Sequence, residues 1–283
     1  LGGLLEAGIT NRGIAVTLGT PGTLDFELGA FVAKKVGFSH VALDLRKMIP
    51  ETEDLLDTIK TGGAWTYLFD AYFNRLITRQ FGKDVIYWSG FMGDPIAGWG
   101  LPRNLNMTWE EAKEYFVNTQ KWVHSTNVLP SGYDPTKMLP EEDEMGCNLL
   151  HPVEKLNFYV RQQFCIRPIV QAQGYRYVMP FLDSQWIGFM LKVEKKLRQG
   201  CALYHRILLN AYPNLMMLPT KTKYGLPLAC NNLFYYYRRL RSGLKRLRRR
   251  HFPRLGGRKA HPMINYIDFD TQLRENPKLS DVI

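Results

Sequence analysis

The side chains best suited to chemistry lie in one glycine-rich stretch, residues 87–100, which reads YWSGFMGDPIAGWG. The apolar, β-branched and aromatic run at 84–88 predicts a short buried strand, and the glycines and proline after it predict a tight loop. Ser89 and Gly90 come where this strand ends, and Asp94 follows in the loop. Because ligands of open α/β sheets bind outside the carboxyl ends of strands, we predict a ligand site here, with Asp94 as a metal ligand. An ordinary strand-to-helix turn is the alternative.

Strands alternate with helices on the N-terminal side of this loop. Apolar runs predict strands, and apolar residues at helical spacing predict helices; the strands fall at 13–19 and 40–45, and the helices at 25–36, 51–61 and 64–81. Elements that alternate in this way are typical of a parallel sheet covered on both faces. Helical patterns dominate from 154 to 212. The sequence therefore predicts an α/β fold, a Rossmann-like three-layer parallel sheet with a helical C-terminal half.

The positive charge of the chain is concentrated near its C-terminus. The formal net charge is +11, and eleven of the 37 basic residues but no acidic residue lie between Arg238 and Lys259. The other 26 basic residues balance the 26 acidic residues of the chain. Leucines at 240, 244 and 247 recur at helical spacing among these cations, which predicts an amphipathic basic helix. We therefore expect one domain at 1–232 and a basic tail at 233–283.

The basic tail has several interpretations, and the sequence leaves them open. Residues 238–259 could bind nucleic acid through its phosphates, lie on an anionic membrane, or cover an acidic face of their own domain. A run of cations is also often only a solvated helix face.

Several classes of protein are disfavoured by the composition. No stretch of about eighteen consecutive apolar residues is present, and we find neither a predicted transmembrane helix nor a signal peptide. The four cysteines are widely spaced and form no CxxC pair, which argues against a disulfide framework and against a zinc site. We expect reduced thiols in a cytoplasmic protein. The chain opens at Leu1 with what looks like the body of a helix, and we expect that its true beginning is missing.

Four stretches in register carry a resemblance to a known family. They are residues 16–25 (VTLGTPGTLD), 89–98 (SGFMGDPIAG), 180–183 (PFLD) and 219–227 (PTKTKYGLP). Together they resemble the synthetase domain of asparagine synthase, a member of the PP-loop or adenine-nucleotide alpha-hydrolase superfamily, over roughly residues 1–228. The second stretch is similar to the family's SGEGADELFGG loop, the third to its PFLD motif, and the fourth to its closing lysine–glycine signature. Order and spacing agree, which favours the fold more strongly than the reaction.

The resemblance implies an ATP-dependent ligase that forms amides. Members adenylate a carboxylate substrate, such as aspartate, with release of pyrophosphate, and ammonia then displaces AMP. The ammonia usually comes from glutamine in a glutaminase domain, which we expect upstream in the full-length chain. The cofactors implied are ATP and Mg²⁺, and a homodimer is a further partnership that the resemblance leaves open.

The resemblance also assigns roles to individual residues. Leu18 and Gly19 would offer backbone groups to adenine, and Ser89 and Gly90 would allow the ribose and the α-phosphate to approach the backbone. Asp94 would hold magnesium on the phosphates. For Asp25, two roles stay open, one on the phosphate side of the nucleotide and one as a helix N-cap.

This sequence also departs from the family pattern. The pyrophosphate loop SGGxDS should precede the first helix, and the chain starts just after that place. Phe91 stands where the family has a glutamate that is a candidate acid or base, and Pro95 replaces the second acid of the family's GADE. A phenylalanine cannot move a proton. Two alternatives to the ligase therefore stay open, a catalytically degenerate nucleotide-binding module and a PP-loop enzyme that acts on RNA.

The phosphate-binding lysine of the family has no direct counterpart. Its place falls near His205 and Arg206, which become the predicted catalytic cations. Lys221 and Lys223, in the closing signature, are the fallback candidates. The alternative for His205 is a lone helix histidine with no ligand.

Overall fold

The computed structural model describes residues 1–62, 67–120, 132–142, 145–146, 149–251 and 263, and of residues 232 and 245–251 it describes the backbone alone. The fold is mixed α/β and rich in helices. The chain divides into two compact units, the first made of residues 1–57, 72–77 and 207–283, and the second of residues 58–71 and 78–206. The domain boundary at residue 232 stays a prediction.

The strands of the described residues form three two-stranded sheets. In chain order they are β1 (Ile14–Gly19), β2 (Ser39–Asp44), β3 (Ile86–Trp88), β4 (Arg176–Val178), β5 (Pro219–Thr220) and β6 (Leu226–Pro227). β1 runs parallel to β2 in the first unit, and β3 runs parallel to β4 in the second. β5 and β6 form a short antiparallel pair. The three strands predicted from the sequence are thus confirmed, with ends shifted by one or two residues.

The helices of the N-terminal half follow the predicted order. They are α1 (Gly2–Glu6), α2 (Leu24–Val36), α3 (Thr52–Gly62), α4 (Leu68–Phe81), α5 (Gly93–Ile96) and α6 (Trp109–Gln120). α2 connects the parallel strands β1 and β2 and ends at Gly37, whose φ of 83° is the left-handed conformation that favours glycine. α6 begins with a capping box, in which Thr108 N–H donates to Glu111 Oε2 at 2.8 Å and Glu111 N–H donates to Thr108 Oγ1 at 3.3 Å. The helix predicted at 64–81 begins at Leu68 in the described residues.

Helices dominate the C-terminal half, as the sequence predicted. They are α7 (Pro152–Leu156), a π-helix (Asn157–Ile166), α8 (Arg167–Val170), α9 (Ser184–Lys192), α10 (Lys195–Arg198), α11 (Ala202–Ala211), α12 (Pro213–Met216) and α13 (Asn232–His251). α13 confirms that the basic segment is helical as far as residue 251. Among the helices that the structure describes, none is both long enough and apolar enough to cross a membrane.

Two hydrophobic clusters lie in the second unit. One consists of Phe91, Met92, Ile96, Ala97, Met190 and Cys201, and the other of Trp109, Ala112, Phe116, Met145, Val153 and Leu156. The first cluster therefore takes much of its volume from the glycine-rich loop after β3, which fixes that loop to the core of its unit.

Candidate functional site

The glycine-rich loop after β3 contacts the loop after the neighbouring strand β4. Ser89 continues the ladder, because its N–H donates to the Val178 carbonyl at 3.0 Å, and Ser89 Oγ accepts the N–H of Phe91 at 3.2 Å. A Cβ atom at Gly93 would lie 3.0 Å from the ring of Phe181, so glycine lets the two loops approach closely. Two of the four motif stretches, 89–98 and 180–183, therefore follow adjacent parallel strands and pack together at their carboxyl ends.

Arg198 supports the same loop from inside the second unit. It is completely buried, and its guanidinium donates to both carboxylate oxygens of Glu154, at 2.6 and 3.2 Å. At Gly98, where φ is 96°, a Cβ atom would lie 2.3 Å from the Arg198 carbonyl oxygen. The sequence analysis missed this ion pair, because its partners are 44 positions apart and each of them resembles an ordinary charged helix residue.

Asp94 lies in the first turn of the short helix α5, and its surroundings perturb its ionisation. The side chain reaches solvent, yet burial raises the pKa of its carboxyl group, while the charge of His205 acts to lower that pKa. His205 is half-buried on α11, and Arg206 beside it is exposed. Asp94 and His205, which the sequence singled out separately, thus lie near enough in the second unit for the charge of His205 to affect the pKa of Asp94.

Cys201 is a neighbour of this pair that the sequence analysis did not single out. Its thiol lies 3.9 Å from the backbone oxygen of Asp94. Burial, with a contribution from the negative charge of Asp94, raises the pKa of Cys201 to about 12. A thiol with so high a pKa stays protonated and is a poor nucleophile, so Cys201 belongs to the packing of the site and not to its chemistry.

Phe91 and Pro95, which stand where the resembled family has acidic residues, are both buried. Phe91 is only 6% exposed and belongs to the first hydrophobic cluster, and Pro95 is buried within α5. Both side chains point into the core of their unit. Among Phe91, Pro95, Asp94 and His205, only the last two can gain or lose a proton.

The first unit carries the other predicted residues. Leu18 and Gly19 are the last two residues of β1, in register with Leu43 and Asp44 of β2. Asp25 lies in the first turn of α2 but is not its N-cap, which is Thr23. The Asp25 carboxylate instead forms an ion pair with the Lys221 ammonium group. This contact joins the first motif stretch to the closing signature. It also makes Lys221, which the sequence analysis named only as a fallback, a candidate site residue.

A pocket lies beside this ion pair within the first unit. Its volume is about 340 Å³, and its polar lining includes Thr17, Asp25 and Lys221. Thr17 Oγ1 also lies 3.0 Å from His40 Nε2 on β2, which fixes the orientation of the hydroxyl group. The pocket is open to solvent and its lining is mostly apolar, with these polar groups along its wall. Among the described residues, its lining takes Thr17 from the end of β1 but neither Leu18 nor Gly19.

A magnesium site made by protein alone does not fit the described residues. Within them, no group of three or more His, Cys, Asp or Glu side chains could hold a metal ion. Mg²⁺ in nucleotide enzymes, however, commonly takes one or two carboxylates and completes its shell with phosphates and water. Asp94, as a single carboxylate in the first turn of α5, is the kind of ligand that such an ion takes.

The four motif stretches therefore form two contacting pairs, one in each unit. The first unit pairs the first turn of α2, at the end of the stretch 16–25, with the closing signature, and the second pairs the glycine-rich loop with the PFLD segment. Comparisons of the chain with protein-family models, with curated proteins and with solved structures found no match.

Proposed function

We propose that this chain is the synthetase part of an ATP-dependent, amide-forming ligase similar to asparagine synthase. The enzyme would adenylate a carboxylate substrate, release pyrophosphate, and let ammonia displace AMP. The observation that carries the proposal is the pairing of the four motif stretches. One pair joins the loop after β3 to the segment after β4, at the carboxyl ends of parallel strands, and the other joins the first turn of α2 to the closing signature. Ligands of parallel α/β folds bind at such ends.

The proposal includes the finer expectations of the resemblance. These are the three-layer Rossmann-like parallel sheet, an upstream glutaminase domain as the ammonia source, and a cytoplasmic location. Aspartate or an analogue is the proposed acceptor.

In the first unit, the proposed role is recognition of the nucleotide. The free backbone edge at Leu18 and Gly19 would accept and donate hydrogen bonds as a base edge does. Lys221, whose charge Asp25 holds in place, would offer a cation to phosphate oxygens. Asp25 would then position Lys221 and would itself make no contact with an anionic ligand.

In the second unit, the proposed roles are approach to the phosphate side and proton handling. Ser89 and Gly90 carry little side-chain bulk where β3 ends, which lets a ligand reach the backbone. Magnesium bound with the nucleotide would neutralise phosphate charge, and Asp94 is the carboxylate that would hold it. His205, whose charge lowers the pKa of Asp94, could hold or release a proton that Phe91 cannot.

Exchange of radiolabelled pyrophosphate into ATP tests the proposal on the full-length protein. We expect exchange that depends on an added carboxylate and that falls at least about tenfold in Lys221→Met, as expected when a charged contact worth ~1.5–3 kcal/mol is lost. Lys34→Met, which removes an exposed lysine from α2 of the same unit, is the matched control and should leave exchange unchanged. Absence of exchange with every carboxylate tested would overturn the ligase.

A second candidate is a nucleotide-binding module without the chemistry. It is favoured by the burial of Phe91 and Pro95, because core residues occupy the positions where the family has its acids. This candidate predicts that calorimetry detects ATP binding and that no AMP is formed. It also predicts that Asp94→Asn weakens ATP binding only when magnesium is present. Formation of AMP that depends on a carboxylate would exclude it.

A further inference from the structure

The helix α13 is attached to the first unit by one side. Tyr235 is half-buried, and its ring lies 5.8 Å from the ring of Tyr224 between centroids. The Lys223 ammonium group lies 4.7 Å from the centre of the Tyr235 ring, a cation–π contact. These contacts define which face of α13 is turned toward the body of its unit.

A different face of α13 is apolar and exposed. It is formed by a stripe of leucine and tyrosine side chains, namely Leu233, Tyr236, Tyr237, Leu240 and Leu244. On a helix with 3.6 residues per turn these positions fall within an arc of about 100°, roughly opposite Tyr235. Leu233 is 73% exposed, Leu240 is 67% exposed and Leu244 is 58% exposed, and in the sequence Leu247 continues the same spacing. A surface helix normally turns its apolar stripe toward its own core, and α13 turns it away.

Cations flank the apolar stripe. Arg238, Arg239 and Arg241 are exposed on α13, and the sequence continues with five further lysines and arginines before the helix ends at His251. Since the formal charges outside residues 238–259 balance, and eight of the eleven cations of that segment lie on α13, this helix carries most of the net positive charge and can attract an anionic surface.

We propose that α13 binds an anionic membrane surface, lying in the plane of the interface with its apolar stripe inserted among the lipids. A lipid interface uses both features of the helix, because acyl chains receive the leucines, the headgroup region suits tyrosine rings, and anionic headgroups pair with arginines. Nucleic acid would use the arginines through phosphate contacts but would leave the leucine stripe in water. A second copy of the helix would cover the stripe but would bring two rows of arginine together, which is unfavourable. The proposal is independent of the ligase chemistry.

Sedimentation with lipid vesicles tests the proposal on the whole chain. We expect binding to vesicles of phosphatidylcholine mixed with phosphatidylserine and little binding to phosphatidylcholine alone. Replacing Arg238, Arg239 and Arg241 by glutamine should weaken binding about a hundredfold, since each cation near the surface contributes about fivefold. The double variant Leu240→Ser, Leu244→Ser should also weaken binding, by roughly tenfold per leucine removed from the interface.

A matched control separates the stripe from general hydrophobicity. Leu56 and Leu197 are exposed leucines on other helices, and the double variant Leu56→Ser, Leu197→Ser should bind vesicles as the parent does. Circular dichroism of each variant checks that the helix content is kept.

Four results would overturn the proposal. Equal binding to neutral and anionic vesicles would show that the arginines do not contribute to binding. Unchanged vesicle binding in the leucine variant would show the same for the apolar stripe. RNA binding that is sensitive to salt and lost in the arginine variant but kept in the leucine variant, without vesicle binding, would identify nucleic acid as the partner. Self-association without lipid, abolished in the leucine variant, would identify a second copy.

Discussion

Removal of the Arg198 guanidinium is the sharpest test of how the candidate loop is held. Arg198 and Glu154 form an ion pair in which the arginine side chain is 0% exposed and the carboxylate side chain 2% exposed. In Arg198→Met the methionine fills most of the volume, but the Glu154 carboxylate stays in the interior without its cation. Glu154 Oε2 still accepts the backbone N–H of His151 at 3.1 Å, which compensates for only part of the loss.

The expected magnitude follows from burial. Removing one partner of a buried ion pair destabilises a protein by about 3–5 kcal/mol, because the remaining charge is desolvated without compensation. The double variant Arg198→Met, Glu154→Gln carries neither charge and keeps an acceptor for His151, so it should lose only about 1–2 kcal/mol. The two single changes should therefore be coupled by about 2 kcal/mol or more.

Urea unfolding followed by circular dichroism measures these free energies of unfolding. The partly exposed pair of Arg46 and Asp44 provides the control, since its side chains are 35% and 14% exposed, and Arg46→Met should lower the free energy of unfolding by about 1 kcal/mol, less than Arg198→Met does. If Arg198→Met does not fold, Arg198→Lys keeps the charge and loses the fork, and should fall between parent and methionine variant. A loss below about 1 kcal/mol for Arg198→Met, or additive single losses, would refute the reasoning.

Three further predictions concern ionisable groups of the second unit. Burial raises the pKa of Asp70 to about 6, so the folded state binds the proton more tightly than the unfolded state and stability falls as pH rises from about 4 to about 6. Asp70→Asn should therefore raise the free energy of unfolding near neutral pH by roughly 2 kcal/mol and flatten this pH dependence in urea titrations. Burial lowers the pKa of His151, whose Nδ1 accepts the N–H of Val153 at 3.1 Å, so the free energy of unfolding should fall as the pH drops below about 6.5. His151→Asn should abolish this fall, and a fall that persists in the variant would contradict the prediction. The buried thiol of Cys201 should react with a thiol reagent only after unfolding, whereas half-buried Cys230 should react in the folded chain; equal rates would contradict this.

The features most accessible to sequence analysis are those decided within a few residues. The capping box of Thr108 and Glu111 and the left-handed Gly37 at the end of α2 each depend on groups three or four positions apart. Asp183 behaves in the same way, as an N-cap whose carboxylate accepts the N–H of Trp186 at 2.9 Å. Local hydrogen bonds of this kind are encoded in residue type and spacing.

The features that the sequence could not predict depend on partners far along the chain. Lys221 contacts Asp25 across 196 positions, and nothing in the neighbourhood of either residue indicates the other. For Asp25 the sequence therefore left two roles open, and the N-cap was the wrong one because Thr23 occupies that position. The sequence showed that Phe91 cannot act as an acid or base, but only the packing shows that its side chain belongs to the core.

The pairing of the motifs bears on how the resemblance should be weighed. Short glycine-rich motifs match by chance, and a chance match places no condition on what the motif contacts in three dimensions. Here a Cβ atom at Gly93 would lie only 3.0 Å from the ring of Phe181, which belongs to a second of the four motif stretches. Asp25 lies against a lysine from the closing motif. These two contacts are the structural support for the proposed ligase. Proton transfer in the proposed ligase would then depend on Asp94 and His205, because the position of the glutamate in the resembled family is occupied here by Phe91, a core residue.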